Sequence, residues 1–227
     1  MVEGRLVRRY KRFLADVELA DGTLVTAHCP NTGSLLGCQE PGSLVVLRDS
    51  QDPGRKLRYT FQSIRIGRGL VNVDTGLPNA VVAEAVERGQ VPELAGYDTL
   101  RREVKYGANS RIDLLLENRG GGPRCYVEVK STTLARGRTA RFPDAVTERG
   151  RKHLVELSAV VAAGERAVQF FFVSRGDVSR FAPADDIDPA YGQALRAAAA
   201  AGVELVAYST RVRPDRLELA RSLPIEL

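Results

Sequence analysis

Short, β-branched apolar segments fill the first third of the chain, and turn signals separate them. Asp21–Gly22, Pro41–Gly42 and Asp52–Gly54 mark three of the turns. The segments predicted as strands read RFLADVEL, TLVTAHC, SLVVLRD, KLRYTFQSIRI and LVNV. Five short strands at this spacing predict an OB-like β-barrel over residues 1–76, although a fragment of a β-sandwich would give a similar pattern.

The pattern changes after Thr75, where a helix with one apolar face is predicted. Pro78 suits the first turn of this helix and Gly89 suits its end. Strands then alternate with helices, the strands reading RREVKY, RIDLLLE, RCYVEVK, AVQFFFV and VELVAYS and the helices covering 144–163 and AYGQALRAAAAAG. Residues 77–227 are therefore predicted to form an α/β domain with helices packed on a mixed sheet.

Two of these strands carry charges where apolar side chains are expected. Alternation places Asp113 on one face of RIDLLLE and both Glu128 and Lys130 on one face of CYVEVK. The glycine-rich turn NRGGGP joins the two strands. A hairpin with Glu117 opposite Arg124 would bring Asp113 directly opposite Glu128.

Two carboxylates that face each other across a hairpin repel, so the pair predicts a compensating cation. Mg²⁺ or Mn²⁺ suits this role because both prefer oxygen ligands. Lys130, at the strand end, could orient water and stabilise charge on a phosphorane-like transition state. The spacing D-x14-E-x-K is the pattern of the PD-(D/E)-x-K nuclease core. Because acids and lysines are common, a surface hairpin with ordinary charges is the alternative interpretation.

Two predicted helices could add further groups to this site. Glu84 borders the apolar wall of the first helix, so it is a candidate acidic ligand, with a solvent-exposed glutamate as the alternative. In the long helix, Arg149 and Lys152 are predicted to contact phosphate. His153 falls on the helical face that also carries Val146 and Leu157, and it is expected to be a hydrogen-bonded core histidine.

The net charge of +5 gives the chain a basic balance, and its cations occur in runs. RLVRRYKR and GRKLRY lie beside Tyr10, Phe13 and Tyr59, a mixture that can hold a nucleic-acid backbone and stack on bases. A solvated surface is the alternative for any single run. Arg55 and Lys56, in the second run, are candidate nucleic-acid contacts.

The N-terminal segment and the three cysteines indicate in which compartment the protein is found. MVEGRLVRRYKRF has no apolar signal region, and no window holds the roughly 18 apolar residues of a membrane span. Cys29, Cys38 and Cys125 are widely spaced and odd in number, which favours reduced thiols in a core. A cytoplasmic protein without membrane contact is expected.

The chain resembles the sugar fermentation stimulation protein (SfsA) family along nearly its whole length. The blocks that carry the resemblance read RYKRFLADV, AHCPNTGSLLGC, RKLRYT, VPELAGYDTLRREVKYG, SRIDLLL, CYVEVKSTTL, FPDAVTERGRKHL and IDPAYG. The resemblance implies an N-terminal OB-like domain, a C-terminal PD-(D/E)xK nuclease-like domain, and DNA binding without marked sequence preference.

The resemblance also assigns roles to individual residues. It implies catalytic and metal-binding roles for Asp113, Glu128 and the helical acid Glu84, and a catalytic role for Lys130. Its basic and CPNTGS blocks match Arg9, Lys11, Arg12 and the segment 31–34, which makes Asn31 a candidate nucleic-acid contact. Ser131 stands where the family commonly has asparagine, and the absence of tryptophan removes a possible stacking aromatic.

Two functions are consistent with these features. The first is sequence-nonspecific DNA binding with Mg²⁺- or Mn²⁺-dependent phosphodiester hydrolysis, endonucleolytic or exonucleolytic. The second is a non-catalytic DNA-binding regulatory protein linked to sugar utilisation. The presence of both motif acids and the motif lysine favours the first function, because a protein that does not cut has no chemical reason to keep two repelling carboxylates opposed. RNA is an alternative partner, and a homo-oligomer is compatible with the sequence.

Overall fold

The computed structural model describes residues 1–106 and 110–227. Within these ranges the first sheet contains β1 (Val2–Tyr10), β2 (Leu14–Leu19), β3 (Leu24–His28), β4 (Leu44–Asp49), β5 (Tyr59–Ile66) and β6 (Gly69–Asn72). Their spatial order is β3-β2-β1-β4-β5-β6, and a parallel pairing of β3 with β5 closes the first five strands into a barrel. The predicted five-stranded OB-like barrel is confirmed.

One barrel strand differs from the prediction. The basic segment at the N terminus is strand β1, in which Leu6 is buried while Arg5 and Arg8 are exposed. The segment LVNV is mostly β6, which pairs with β5 outside the closed barrel. Because β1 has few inward apolar residues among its arginines, the alternation of apolar and polar residues that would predict a strand is weak there.

The second domain is built around a mixed sheet. In the described residues its elements are α1 (Pro78–Glu87), a short 3-10 helix (Pro92–Leu94), β7 (Thr99–Tyr106), β8 (Ser110–Glu117), β9 (Cys125–Thr132), β10 (Ala135–Arg136), β11 (Thr139–Phe142), α2 (Glu148–Ala162), β12 (Arg166–Val173), β13 (Arg180–Pro183), α3 (Pro189–Ala200), β14 (Glu204–Arg213) and β15 (Arg216–Ser222). The large sheet has the order β15-β14-β12-β9-β8-β7, and β12 runs parallel to both β9 and β14. The predicted α/β domain is confirmed.

The sequence prediction missed several short strands and placed the start of α2 too early. β10, β11 and β13 form a small separate sheet, and β15 extends the large sheet at its edge. Helix α2 begins at Glu148 because Thr147 caps it, its hydroxyl accepting the Gly150 N–H at 3.0 Å. Residues 144–147 therefore form a connecting loop, which contacts the barrel.

Helices cover both faces of the large sheet. Phe171 of β12 packs in the same buried cluster as Leu154 of α2 and Tyr191 of α3. Phe170 packs on the opposite face, in the cluster that contains Val82 of α1. A strand buried on both sides explains the continuous apolar run of β12. No helix in the described ranges is both long and apolar enough to span a membrane.

The cysteines are core thiols, as predicted. Cys29, Cys38 and Cys125 are all free and buried. Burial raises the pKa of Cys38 and of Cys125 to about 11, so both remain protonated and unreactive at neutral pH.

A loop of the barrel docks against the second domain; we call residues 31–35 the docking loop. Ser34 Oγ donates to the backbone oxygen of Asp144 at 2.6 Å, and the Leu35 N–H donates to Asp144 Oδ2 at 2.9 Å. Gly33 permits this approach, because a β-carbon there would lie 3.2 Å from Asp144 Oδ1. The two domains therefore meet through a fixed, hydrogen-bonded contact.

Asp144→Ala should destabilise the protein by about 2 kcal/mol, because the fully buried Leu35 would lose a charge-assisted partner for its N–H. Urea unfolding checks this expectation. Asp186→Ala is the control, since Asp186 forms half-exposed ion pairs with Arg136 and Arg141 that should contribute little. Equal stabilities for the two variants would mean that the docking contact does not hold the domains together.

Candidate metal and nucleic-acid site

Strands β8 and β9 form the hairpin with the predicted register, Leu114 lying opposite Val127. The same register would pair Asp113 with Glu128, but the described ladder ends one residue before them. Asp113 Oδ2 instead accepts the backbone N–H of Val129 at 2.7 Å. The two strands therefore separate where the two carboxylates begin, and β9 continues beside β12 alone.

Asp113 lies at the point where the hairpin opens. Asn79 of α1 donates its side-chain amide to Asp113 Oδ1 at 2.7 Å and also reaches Glu103 Oε1 at 3.2 Å. Burial raises the pKa of Asp113 to about 6, and the negative charge of Glu128 acts in the same direction. This carboxylate is therefore held by hydrogen bonds in an environment that disfavours its charge.

Glu128 is more deeply buried, with 3% of its surface exposed. Its Oε1 accepts from Lys130 Nζ at 2.6 Å and pairs with His153 Nδ1. Burial raises the pKa of Glu128, but the hydrogen bond from His153 and the charge of Lys130 outweigh it, so the pKa is lowered overall. Lys130 and His153 thus offset this charge, whereas the sequence predicted a divalent cation as the simplest compensation.

The second oxygen of Glu128 is unusual. Glu128 Oε2 is buried and has no hydrogen-bond partner in the described part of the protein. A buried carboxylate oxygen without a partner destabilises the folded protein, because it has lost its hydration. Its presence therefore indicates a site for a ligand. The orphan oxygen belongs to a residue that lines a cavity, which is where such a ligand can enter.

His153 connects Glu128 to helix α2. Arg149 Nε donates to His153 Nε2 at 3.4 Å, which leaves the ring proton on Nδ1 for donation to Glu128. Lys130 Nζ also lies 3.1 Å from Nδ1. The predicted hydrogen-bonded core histidine is confirmed, but it belongs to the site. Its position one turn beyond Arg149 was the sequence signal that could have revealed this.

A cavity of about 480 Å³ opens where the hairpin separates. The sheet contributes Asp113, Glu128 and Lys130, and the start of α2 contributes Arg149. The barrel contributes Arg12 from the β1–β2 turn and the docking-loop residues Asn31, Thr32 and Gly33. The site is therefore shared between the two domains.

Two of the predicted site residues lie elsewhere. Glu84 is exposed, pairs with Arg88 at 2.6 Å and lines a separate cavity beside β15. The expectation that it joins the two acids is wrong, because its position on α1 faces solvent. Asn79, five residues earlier on α1, makes the contact instead. Lys152 is also exposed and pairs with Glu156 at 3.6 Å, away from the cavity that Arg149 lines.

The nucleic-acid contacts predicted in the first domain divide into three groups. Arg12 and Asn31 line the cavity, and Asn31 is largely buried. Arg9 is a structural residue, since its guanidinium donates to the backbone oxygens of Arg12, Asn31 and Gly33. The remaining predicted contacts are exposed and do not line the cavity: Lys11, Arg55 and Lys56. Their contact with nucleic acid stays a prediction.

Asp113 and Glu128 fit a hard divalent cation. They offer two carboxylates, one of which has a buried oxygen without a hydrogen-bond partner in the described part of the protein, and carboxylate oxygens are the donors that Mg²⁺ and Mn²⁺ prefer. Among the described residues no group of three or more His, Cys, Asp or Glu side chains is arranged to hold a metal. Two protein carboxylates suit Mg²⁺, which keeps water or phosphate oxygens as its other ligands.

Comparison with known proteins matches both domains. Residues 7–73 match the family model described as the SfsA N-terminal OB domain, and residues 76–216 match the sugar fermentation stimulation protein RE domain. Ser131 lies against Ser174, with their hydroxyl oxygens 3.1 Å apart.

Relatives match the full length. The sugar fermentation stimulation protein homolog of Geobacter sulfurreducens is 56% identical over 99% of this chain and 96% of that protein. The homolog of Paramagnetospirillum magneticum is 53% identical over 100% of this chain and 96% of that protein. The solved structure of Pyrococcus furiosus SfsA in complex with Ca²⁺ has a TM-score of 0.90 and 29% identity, covering 100% of this chain and 96% of that chain. The chain therefore belongs to the sugar fermentation stimulation protein (SfsA) family.

Proposed function

We propose that this protein binds DNA without sequence preference and hydrolyses its phosphodiester bonds with the help of a divalent cation. The observation that carries the proposal is the opening of the β8–β9 hairpin at Asp113 and Glu128, inside a cavity that is also lined by Lys130 and three arginines. A polyanion can enter such a cavity only if cations offset its charge, and Arg12 and Arg149 supply them.

The residues of the cavity have distinct roles in this proposal. A divalent cation held by Asp113 and Glu128 would supply the Lewis acidity that phosphodiester hydrolysis needs. Lys130 is positioned by Glu128 and stabilises the negative charge that develops on the phosphate. His153 holds Glu128 Oε1, which leaves Oε2 available for a ligand. Asn79 fixes the orientation of Asp113.

The related structure supports the binding of a divalent cation by this family. The solved SfsA of Pyrococcus furiosus is described as a complex with Ca²⁺. Ca²⁺ binds oxygen ligands, as do Mg²⁺ and Mn²⁺. It accepts six to eight of them in a flexible arrangement, whereas Mg²⁺ requires a nearly octahedral one. We infer that Asp113 and Glu128 are the residues of this chain that bind such a cation.

A second candidate function is DNA binding without cleavage, in a regulatory role linked to sugar utilisation. One observation favours it: Lys130 and His153 already offset the charge of Glu128, so the fold does not depend on a metal. The two candidates differ in one measurable property. Only the nuclease converts supercoiled plasmid or labelled oligonucleotide into shorter products.

The test is incubation of the purified protein with supercoiled plasmid and with single- and double-stranded oligonucleotides in Mn²⁺ or Mg²⁺. We expect cleavage that EDTA abolishes, and binding that weakens steeply as salt rises. Salt-sensitive binding without products in either metal would leave the regulatory function and overturn the nuclease.

Cation binding should also be visible without any substrate. At a concentration 100 times its dissociation constant, Mn²⁺ should stabilise the protein by about 2.7 kcal/mol, a rise in Tm of about 5–10 °C for a chain of this size. Asp113→Asn should abolish most of this rise, because it removes one of the two carboxylates. Differential scanning calorimetry with and without Mn²⁺ checks this. An equal rise in the variant would place the cation elsewhere.

A further inference from the structure

The turn between β1 and β2 has an unfavourable backbone conformation. Tyr10 pairs with Leu14 across it, and Lys11 and Arg12 within it have φ values of 49° and 66°. Residues other than glycine and asparagine rarely adopt a positive φ, and two such residues in succession cost conformational free energy. The hairpin would form more easily with glycine here, so these residues need a reason other than stability.

The protein also fixes this turn in place. Arg9 Nη2 donates to the backbone oxygen of Arg12 at 2.7 Å and to that of Gly33 at 2.8 Å. The same guanidinium therefore holds both the β1–β2 turn and the docking loop. Since the docking loop is bonded to Asp144 of the second domain, the turn has a fixed position relative to the two carboxylates.

Arg12 differs from the other cations of the cavity. Lys130 is paired with Glu128 and Arg141 with Asp186. Arg149 is exposed and forms no ion pair with the described residues, but its Nε donates to His153 Nε2 at 3.4 Å. Arg12 lines the same cavity with an exposed side chain, and among the residues that the structure describes it has no carboxylate within ion-pair distance. Its guanidinium is thus available to an anion that enters the cavity.

We propose that Arg12 binds a backbone phosphate of the nucleic acid inside the reaction cavity, so that the barrel completes the active site of the second domain. The strained turn and the Arg9 contacts position the guanidinium for this purpose. The inference rests on the proposed function for the identity of the anion, because a guanidinium suits a phosphate with two parallel hydrogen bonds.

Two substitutions at one position separate binding from folding. Arg12→Ala and Arg12→Gly both remove the guanidinium, but glycine also relieves the strain at φ 66°. Both should weaken binding of a fluorescein-labelled single-stranded oligonucleotide, measured in EDTA by anisotropy, by about 10- to 100-fold. Both should reduce kcat/KM for cleavage by a similar factor. Arg12→Gly should nevertheless melt at or above the temperature of the parent.

Arg68→Ala is the matched control, because Arg68 is an exposed arginine of the same domain, in the turn between β5 and β6, and does not line the cavity. It removes one positive charge, as the Arg12 variants do, and should change affinity and kcat/KM by less than about 3-fold. Arg12→Lys should recover part of the loss, since lysine keeps the charge without the fork of donors.

The outcomes separate this inference from the proposed function. If the Arg12 variants bind the oligonucleotide as Arg68→Ala does, the inference is wrong, whether or not the parent cuts DNA. If the parent binds but never cuts, the nuclease is wrong, while weaker binding confined to the Arg12 variants still supports the phosphate contact. A parent that does not bind the oligonucleotide would overturn both.

Discussion

Asp113→Asn and Glu128→Gln are each expected to reduce phosphodiester cleavage by about 1000-fold or more, the largest functional effect of any substitution in this chain. Both changes keep the size of the side chain but remove a negative charge and replace one acceptor oxygen by an NH2 donor. The site would then have one carboxylate in place of two for a divalent cation. Oligonucleotide affinity in EDTA should be unchanged or slightly higher, because the cavity becomes less negative.

The measurement is single-turnover cleavage of a labelled oligonucleotide in Mn²⁺, with circular dichroism to establish that each variant is folded. Glu84→Gln is the decisive control. The SfsA resemblance assigns this residue to the metal site, whereas the structure places it in an ion pair with Arg88 beside another cavity. Full activity in Glu84→Gln and none in the other two variants would agree with the structure. Parental rates in Asp113→Asn and Glu128→Gln would exclude the proposed mechanism.

The sequence predicted the parts of this site that depend on strand alternation. Period-two alternation placed Asp113 and Glu128 on facing strands, and the glycine-rich turn fixed the register that Leu114 and Val127 adopt. The opening of the hairpin at the two acids could not be predicted in the same way. It depends on the Val129 N–H, which donates to the side chain of Asp113 and not to a backbone oxygen of β8. The alternation of side chains along a strand carries no information about that acceptor.

The helical contributions were harder to predict. On α1, hydrophobic periodicity identifies the buried face but leaves the rotation uncertain at its border, where Glu84 and Asn79 both lie. The structure brings Asn79 to Asp113 and leaves Glu84 in solvent. The first of these residues follows Pro78 at the N terminus of the helix, where a polar side chain can reach a neighbouring strand end.

The role of the barrel in the site could not be predicted from local pattern at all. The basic segment before Phe13 indicated nucleic-acid binding, but its residues have different structural roles. Arg9 binds backbone oxygens and Arg12 faces the cavity, a division that depends on the contact between the docking loop and Asp144. Contacts between residues 110 positions apart leave no signal in the pattern of a single sequence.

Lys130→Met is the second substitution with a large expected effect, on both activity and stability. Cleavage should fall by about 100- to 1000-fold, because a cation that stabilises the developing negative charge is lost. Stability should fall by about 3 kcal/mol, since the buried Glu128 loses an ammonium 2.6 Å away and retains only His153. Urea unfolding and single-turnover cleavage measure the two effects.

The double variant Lys130→Met with Glu128→Gln tests whether the two residues act as a unit. Removing the carboxylate together with the ammonium leaves no buried unpaired charge, so the double variant should be more stable than Lys130→Met alone by at least about 1 kcal/mol. Its cleavage rate should be no lower than that of Glu128→Gln. When two residues act as a unit, removing the first abolishes the shared effect, so removing the second causes no further loss. Additive losses in both measurements would mean that the 2.6 Å contact is incidental. Non-additive losses would instead mean that Glu128 positions Lys130 as well as offering an oxygen to a cation.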